Sequence, residues 1–231
     1  MAMNWEKMEK IGEGNQKEVY IDASDPEKVV SRFREGYSER ESELTMKGRY
    51  YLSKILHLLI PNSIPDTNLT AKGEDTIIVS ERKKLDSEHL EHNRIMTALR
   101  EGMSMKKNDN LLEREREMRE DRIERLVKDE RFIAFENNMK ALGVRFDEYP
   151  TNFTDDKNNN LVYIDNSFKP WNNLGLSHGG AGLRRNYYAP AIRAAIKNLD
   201  ISEQSHALNY LQRLEELYLL WKKECYEKNS K

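Results

Sequence analysis

An ordered set of acidic and amide residues between positions 144 and 166 constrains this chain more than any other feature. Asp147 is followed five residues later by Asn152, and a turn-rich segment then leads into an apolar run that ends at Asp165. The segments on either side of the turn predict the two arms of a short hairpin. Such a hairpin brings an amide and a second carboxylate to one end, where their oxygens can converge on Mg²⁺ and its phosphates.

Composition limits the classes of protein that can carry this set. The chain has 231 residues, enough for one two-lobed domain or two small ones. Its net charge of −2 gives no bulk attraction to nucleic acid or membrane, and we expect neither as a partner. The single cysteine, Cys225, indicates a reducing compartment, and the first residues lack the apolar core of a signal peptide. We therefore expect a cytoplasmic protein.

The first third of the chain predicts a small sheet with one inserted helix. Two strand-like pieces flank a glycine turn at Gly12 and Gly14, and a third strand follows at 29–33. Apolar residues at three- and four-residue steps then predict a helix between 36 and 60. Two further strands, at 67–71 and 76–81, surround a turn.

After about residue 85 the chain becomes polar and charge-rich, and its patterns predict helices. We expect two helices between 87 and 140, with a break near 106–110 and a left-handed glycine cap at Gly143. Two amphipathic helices follow at 187–198 and 202–227. A Gly- and Asn-rich loop at 170–185 precedes them, and either a structural connector or a substrate lid would explain its composition.

The spacing Asp147-x-x-x-x-Asn152, with Asp165 after it, resembles the catalytic loop of the protein-kinase-like superfamily, which includes small-molecule phosphotransferases. The order of five strands with one helix after the third is also similar to the amino-terminal lobe of that family. The resemblance implies an α+β, two-lobed fold. Residues 1–84 would form a five-stranded antiparallel lobe with one helix, and residues 85–231 a mostly helical lobe containing the catalytic loop.

The resemblance also implies a role for each matching residue. Asp147 would orient or deprotonate an acceptor hydroxyl, while Asn152 and Asp165 would hold Mg²⁺ on the β- and γ-phosphates of ATP. The positions that would contact or organise the nucleotide are Ile11, Gly12, Gly14, Val19, Arg32, Glu43 and Glu81.

Within that set, glycine backbone at Gly12 and Gly14 would approach the phosphates, and Ile11 and Val19 would cover the base. Arg32 stands where the family places a lysine, and the resemblance gives it Glu43, or else Glu41, as a partner. Glu81 would begin the hinge segment that contacts adenine.

Departures from the family pattern leave other interpretations open. Lys17 replaces the third glycine, Arg32 replaces the lysine, and Asn166 follows Asp165 where the family commonly has Phe. A catalytically silent kinase-like protein that binds nucleotide, or nothing, and works through a partner is one alternative. A helical interaction module, with the charged helix at 111–130 as its surface, is the other. Because no activation segment follows Asp165, a small molecule or an unusual protein is the expected acceptor.

Overall fold

The computed structural model describes residues 8–13, 17–33, 43–72, 75–81, 91–92, 94–95, 105–165, 168 and 188–229. The strands are β1 (Lys10–Glu13), β2 (Lys17–Asp22), β3 (Asp25–Phe33), β4 (Thr67–Lys72), β5 (Asp75–Glu81), β6 (Phe153–Asp155) and β7 (Leu161–Tyr163). The longer helices are α1 (Glu43–Leu59), α2 (Met105–Leu126), α3 (Glu130–Leu142), α4 (Tyr188–Ile196) and α5 (Ile201–Asn229). The fold is therefore α+β.

The first five strands form one antiparallel sheet in the order β1-β2-β3-β5-β4. Helix α1 lies between β3 and β4 in the chain and is described from Glu43 to Leu59, while positions 36–42 of the predicted helix lie outside the described residues. The predicted five antiparallel strands with one inserted helix are confirmed. Their membership of a kinase-like, two-lobed fold stays a prediction.

One face of this sheet carries a small apolar cluster. Tyr20 pairs with Val30, and Val30 pairs with Val79, so the three side chains share a face because directly opposed residues of an antiparallel pair do so. All three are buried, and Met8 packs against Val30 and Val79. This face also carries Arg32, two residues after Val30.

The main hydrophobic core joins the first and last helices. Leu52, Ile55 and Leu56 of α1 are fully buried, as are Leu211 and Leu214 of α5. All of them belong to one continuous cluster, which also contains Phe153 of β6, Leu161 and Tyr163 of β7, and the buried residues of α3 and α4. The predicted lobe boundary at 84/85 stays a prediction, but the core of α1 is shared with the carboxy-terminal half.

The predicted break near 106–110 is wrong, because α2 runs through those positions. The helix pair is instead divided between Leu126 and Glu130. There Asp129 caps α3, its side chain accepting a hydrogen bond from the N–H of Arg131 at 2.8 Å. The predicted end of α3 is confirmed: Gly143 has φ 69°, and Val144 N–H donates to Met139 O at 3.0 Å.

Candidate functional site

The predicted hairpin is present as β6 and β7, with Phe153 opposite Tyr163 and Asp155 opposite Leu161. Its turn is organised by Asp156, whose Oδ1 accepts hydrogen bonds from the N–H groups of Asn158 and Asn160, each at 2.8 Å. Asn159 has φ 61°, a left-handed conformation that asparagine adopts more readily than most residues. The polar turn that follows Phe153 in the sequence therefore has a structural function.

The open end of the hairpin brings two of the predicted site residues onto neighbouring chain segments. The N–H of Ile164 donates to the carbonyl oxygen of Asn152 at 2.7 Å. Asp165 is the next residue after Ile164, so Asn152 and Asp165 lie on adjacent chain segments at this end of the hairpin. Both side chains are half-buried.

The loop before the hairpin places Asp147 beside Asn152. The side-chain Nδ2 of Asn152 donates to the backbone carbonyl of Asp147 at 3.1 Å. The carboxylate Oδ1 of Asp147 accepts the N–H of Tyr149 at 3.1 Å, and the carboxylate is exposed. The side-chain nitrogen of Asn152 donates to the loop, and its side-chain oxygen Oδ1 is the atom that could bind a cation.

A cluster of aromatic side chains in the core supports this loop. Tyr163 is fully buried, and its hydroxyl accepts the N–H of Asp147 at 3.1 Å. Its ring lies 5.1 Å from the ring of Phe153 and 5.1 Å from that of Phe168, and 5.7 Å from that of Phe135. The backbone of the predicted catalytic loop is thus attached to a closely packed part of the core.

Helix α2 holds the loop from its other side. The hydroxyl of Tyr149 donates a hydrogen bond to Glu115 Oε1 at 2.8 Å, and Glu115 is buried. Burial, followed by this hydrogen bond, raises the pKa of Tyr149. Arg122 donates to the carbonyl oxygens of Pro150 and Phe153. Two polar side chains of α2, about two turns apart, therefore contact the predicted catalytic loop.

On the sheet, Arg32 is held by residues of the neighbouring strand β2. Its Nε and Nη2 contact Glu18 Oε2 at 2.9 and 2.8 Å, and its guanidinium carbon lies 5.4 Å from the ring centre of Tyr20. Burial opposes the charge of Glu18, but hydrogen bonds from Tyr20 and Arg32 outweigh it and lower the pKa of that carboxyl. Among the described residues, the carboxylate that contacts Arg32 is therefore that of Glu18 on β2, whereas the resemblance implies a glutamate of the helix.

The structure does not bring all of the predicted nucleotide residues to one face. Glu18 pairs with Arg32, and Val19 pairs with Ser31, so Val19 and Arg32 lie on opposite faces of the sheet. A Cβ placed on Gly12 would lie 3.7 Å from Val19 Cβ, which associates Gly12 with the face of Val19. Ile11 is half-buried in β1.

Other predicted positions lie outside the described residues. Gly14 is one, and the loop at 170–185 is another. The backbones of Glu43 and Glu81 belong to α1 and β5, but their side chains are outside the described part. Their predicted roles stay predictions.

The pair Asn152 and Asp165 suits Mg²⁺ in the company of a nucleotide. Within the described part of the chain, no group of three or more His, Cys, Asp or Glu side chains could hold a metal ion. Mg²⁺ usually keeps several waters and is bound through one or two carboxylates plus substrate phosphates. Asn152 and Asp165 supply one amide oxygen and one carboxylate, and both are oxygen ligands of the kind that Mg²⁺ accepts.

Sequence reasoning missed the contributions of α2 to this site. Glu115, Arg122 and the buried Leu126 follow one another at seven- and four-residue steps, which places them on one helix face. Polar residues on the same helix face as a buried leucine were the sequence signal that could have revealed these contacts. The surrounding run of mixed charges hid it, because such runs are typical of solvated surfaces.

Comparison with known proteins assigns no family to this arrangement. No protein-family model matches the chain, and no curated protein sequence matches it. Among the helices of the described residues, none is long and apolar enough to cross a membrane.

Proposed function

We propose that the protein is an ATP–Mg²⁺-dependent phosphotransferase that transfers the γ-phosphoryl group of ATP to a hydroxyl on a small molecule or a protein. One observation carries the proposal. A hydrogen bond from Asn152 Nδ2 to Asp147 O joins those two residues, and a bond from Ile164 N to Asn152 O holds the residue before Asp165 beside them, at one end of a hairpin. These are the positions that phosphoryl transfer requires for the acceptor and for Mg²⁺.

Asp147 is proposed to orient the acceptor hydroxyl and to accept its proton. One of its carboxylate oxygens already accepts the N–H of Tyr149, which fixes the plane of the group. The second oxygen is the one proposed to contact the hydroxyl group of the substrate, since a carboxylate has two oxygens. The exposure of Asp147 favours a substrate that approaches from solvent.

Asn152 and Asp165 are proposed to bind Mg²⁺ through one oxygen each. When bound, Mg²⁺ would neutralise charge on the β- and γ-phosphates. Phosphoryl transfer passes through a loose transition state, so the protein contributes mainly positioning and charge. Hydrogen bonds suit that requirement, since they restrict Asn152 and the backbone of Ile164 next to Asp165.

The five-stranded sheet is proposed to cover the nucleotide. Arg32 offers two parallel donors to phosphate oxygens, and the buried residues Tyr20 and Val30 share its face. The remaining contacts are proposed for the glycine turn at Gly12 and Gly14, for Ile11, Val19 and Glu43, and for Glu81 at the adenine edge. The cytoplasm is the proposed setting, because it supplies ATP and Mg²⁺ and keeps Cys225 reduced.

A catalytically silent nucleotide-binding or interaction protein is the second candidate, and a specific contact favours it. Glu18 engages the guanidinium of Arg32 through both Nε and Nη2. A phosphate would therefore have to compete with a carboxylate that already satisfies those donors. The placement of Val19 on the opposite face also favours a site that departs from that of active kinases.

Thermal unfolding with ATP and Mg²⁺, combined with an ATP-turnover assay, tests the proposal. We expect the wild-type chain to be stabilised and to turn over ATP with an acceptor. Asp147→Asn should retain the stabilisation and lose turnover by about 10²-fold or more, whereas Asp165→Ala should lose the Mg²⁺-dependent stabilisation. Glu148→Gln, an exposed carboxylate next to Asp147, is the matched control and should change neither.

The outcomes separate the candidates. Stabilisation by ATP and Mg²⁺ without turnover for any hydroxyl acceptor would favour the silent protein. Absence of stabilisation in the wild-type chain would reject both nucleotide-binding candidates.

A further inference from the structure

Arg122 links helix α2 to the turn that carries the predicted Mg²⁺ ligand Asn152. Its Nε donates to Pro150 O at 3.2 Å, and its Nη2 donates to Phe153 O at 2.8 Å. Pro150 to Asn152 form a single 3-10 turn, and Phe153 begins β6. One guanidinium therefore binds the carbonyls at the start of this turn and immediately after it.

The hairpin ladder explains why the carbonyl of Phe153 needs a donor. The bond from Ile164 N to Asn152 O makes Phe153 and Tyr163 the next, non-hydrogen-bonded pair of the antiparallel ladder. Their backbone groups point away from the partner strand. Tyr163 N–H donates to Ser63 O at 2.9 Å, and Phe153 O accepts a hydrogen bond from Arg122. Each edge of the hairpin is thus attached to a different part of the chain.

These contacts restrict the movement of Asn152. Its N–H donates to Tyr149 O at 2.9 Å, its carbonyl accepts Ile164 N–H, and its Nδ2 donates to Asp147 O. A rotation of the turn that moved the side chain of Asn152 would also turn the carbonyls of Pro150 and Phe153. That rotation would break both hydrogen bonds to Arg122.

We propose that Arg122 is a positioning residue for this site: its two-donor contact with Pro150 O and Phe153 O fixes the amide oxygen of Asn152 where Mg²⁺ needs it. The inference rests on the proposed function and adds a residue that acts on Mg²⁺ through the backbone of the loop. Arginine suits the task because its planar fork holds two acceptors at once, whereas lysine offers a point charge.

A Mg²⁺ titration of the full chain at fixed ATP tests this role, with thermal stabilisation as the signal. Arg122→Gln should raise the Mg²⁺ concentration at half-saturation by about tenfold, as expected when a group that orients a metal ligand is removed. ATP binding without Mg²⁺ should not change, because the hydrogen bonds described for Arg122 go to the loop and to the start of β6, whereas the five-stranded sheet is proposed to cover the nucleotide. Arg122→Lys should give an intermediate value.

Arg116→Gln is the control, since Arg116 lies on the same helix, is largely exposed and pairs with Glu120 at 3.8 Å. It should keep the wild-type half-saturation. A wild-type value in Arg122→Gln, or in Arg122→Lys if the glutamine variant does not fold, would overturn the positioning role and leave the proposed function intact. No Mg²⁺-dependent ATP binding by the wild-type chain would overturn the proposed function itself.

Discussion

The hydroxyl of Tyr163 accepts a hydrogen bond from the backbone N–H of Asp147 at 3.1 Å. A fully buried core side chain thereby holds the residue that is proposed to meet the acceptor. Tyr163→Phe keeps the ring and removes this acceptor. We expect the free energy of unfolding to fall by about 1 kcal/mol, the typical contribution of one hydrogen bond.

Urea unfolding measures that loss, and a turnover assay should show a lower rate with unchanged ATP affinity. Tyr210→Phe, a tyrosine of α5 that contacts α1 near Lys54 and is remote in sequence from the loop, is the control. Equal turnover in Tyr163→Phe and the control would contradict a role for Tyr163 in placing Asp147.

Asp129 and Arg131 should make the stability of the α3 amino terminus depend on pH. The hydrogen bond from Arg131, ahead of the opposing effect of burial, lowers the pKa of Asp129 below its ordinary value of 3.8. A carboxyl whose pKa is lower in the folded chain contributes stability above its unfolded pKa and loses it as pH falls through the folded pKa. This contribution should therefore be present at neutral pH and be lost progressively as pH falls below 3.8 and through the lower pKa of the folded chain.

Asp129→Asn keeps a capping side chain and removes the charge. We expect it to cost about 1 kcal/mol at neutral pH, and the difference from wild type should shrink at about pH 3. Urea unfolding at the two pH values measures both. Glu124→Gln removes an exposed carboxylate whose partner, Lys128, is also exposed, and it should have little effect at either pH.

The leucines of α5 should differ strongly in their contribution to stability. Leu211 is fully buried in the core shared with α1, whereas Leu208 is 43% exposed. Leu211→Ala should lower the free energy of unfolding by about 2–5 kcal/mol, and Leu208→Ala by about 0.5 kcal/mol or less. Similar losses in the two variants, measured by urea unfolding, would contradict the described packing of α5.

Glu18 should compete with phosphate for Arg32. Glu18→Gln removes the carboxylate charge beside the guanidinium, so we expect ATP to bind roughly fivefold more tightly, equivalent to about 1 kcal/mol. Arg32→Gln should weaken ATP binding. Calorimetry of both variants measures these changes, and weaker binding in Glu18→Gln would instead make Glu18 a support for the phosphate-binding conformation of Arg32.

Much of the secondary structure follows from local patterns. Strands β1 to β5, the cap at Gly143 and helices α4 and α5 lie close to their predicted ranges, because alternating or helical periodicity marks them strongly. The predicted break near 106–110 rests on Asn108, Asp109 and Asn110, which have weak helix propensity but are helical here. Propensity is a weak guide there, and the capping contact between Asp129 and Arg131 determines the break.

The side-chain placement within the sheet could not be predicted in the same way. Whether Val19 shares a face with Arg32 depends on the pairing of Glu18 with Arg32, and a shift of one residue would reverse it. Spacing along the chain does not fix that register. The contacts of Arg122 were equally hidden, since they join residues of α2 to a loop far along the sequence.

The shared core of α1 and α5 has a consequence for how the molecule is made. Leu52 emerges from a ribosome long before Leu211, yet the two are buried in the same cluster. Until α5 has been synthesised, the apolar side of α1 must stay in water or find a temporary cover. Contacts between residues this far apart in the sequence slow folding and leave hydrophobic surface exposed on the nascent chain. The newborn protein should therefore depend on chaperones during translation more than a chain whose helices pack with near neighbours.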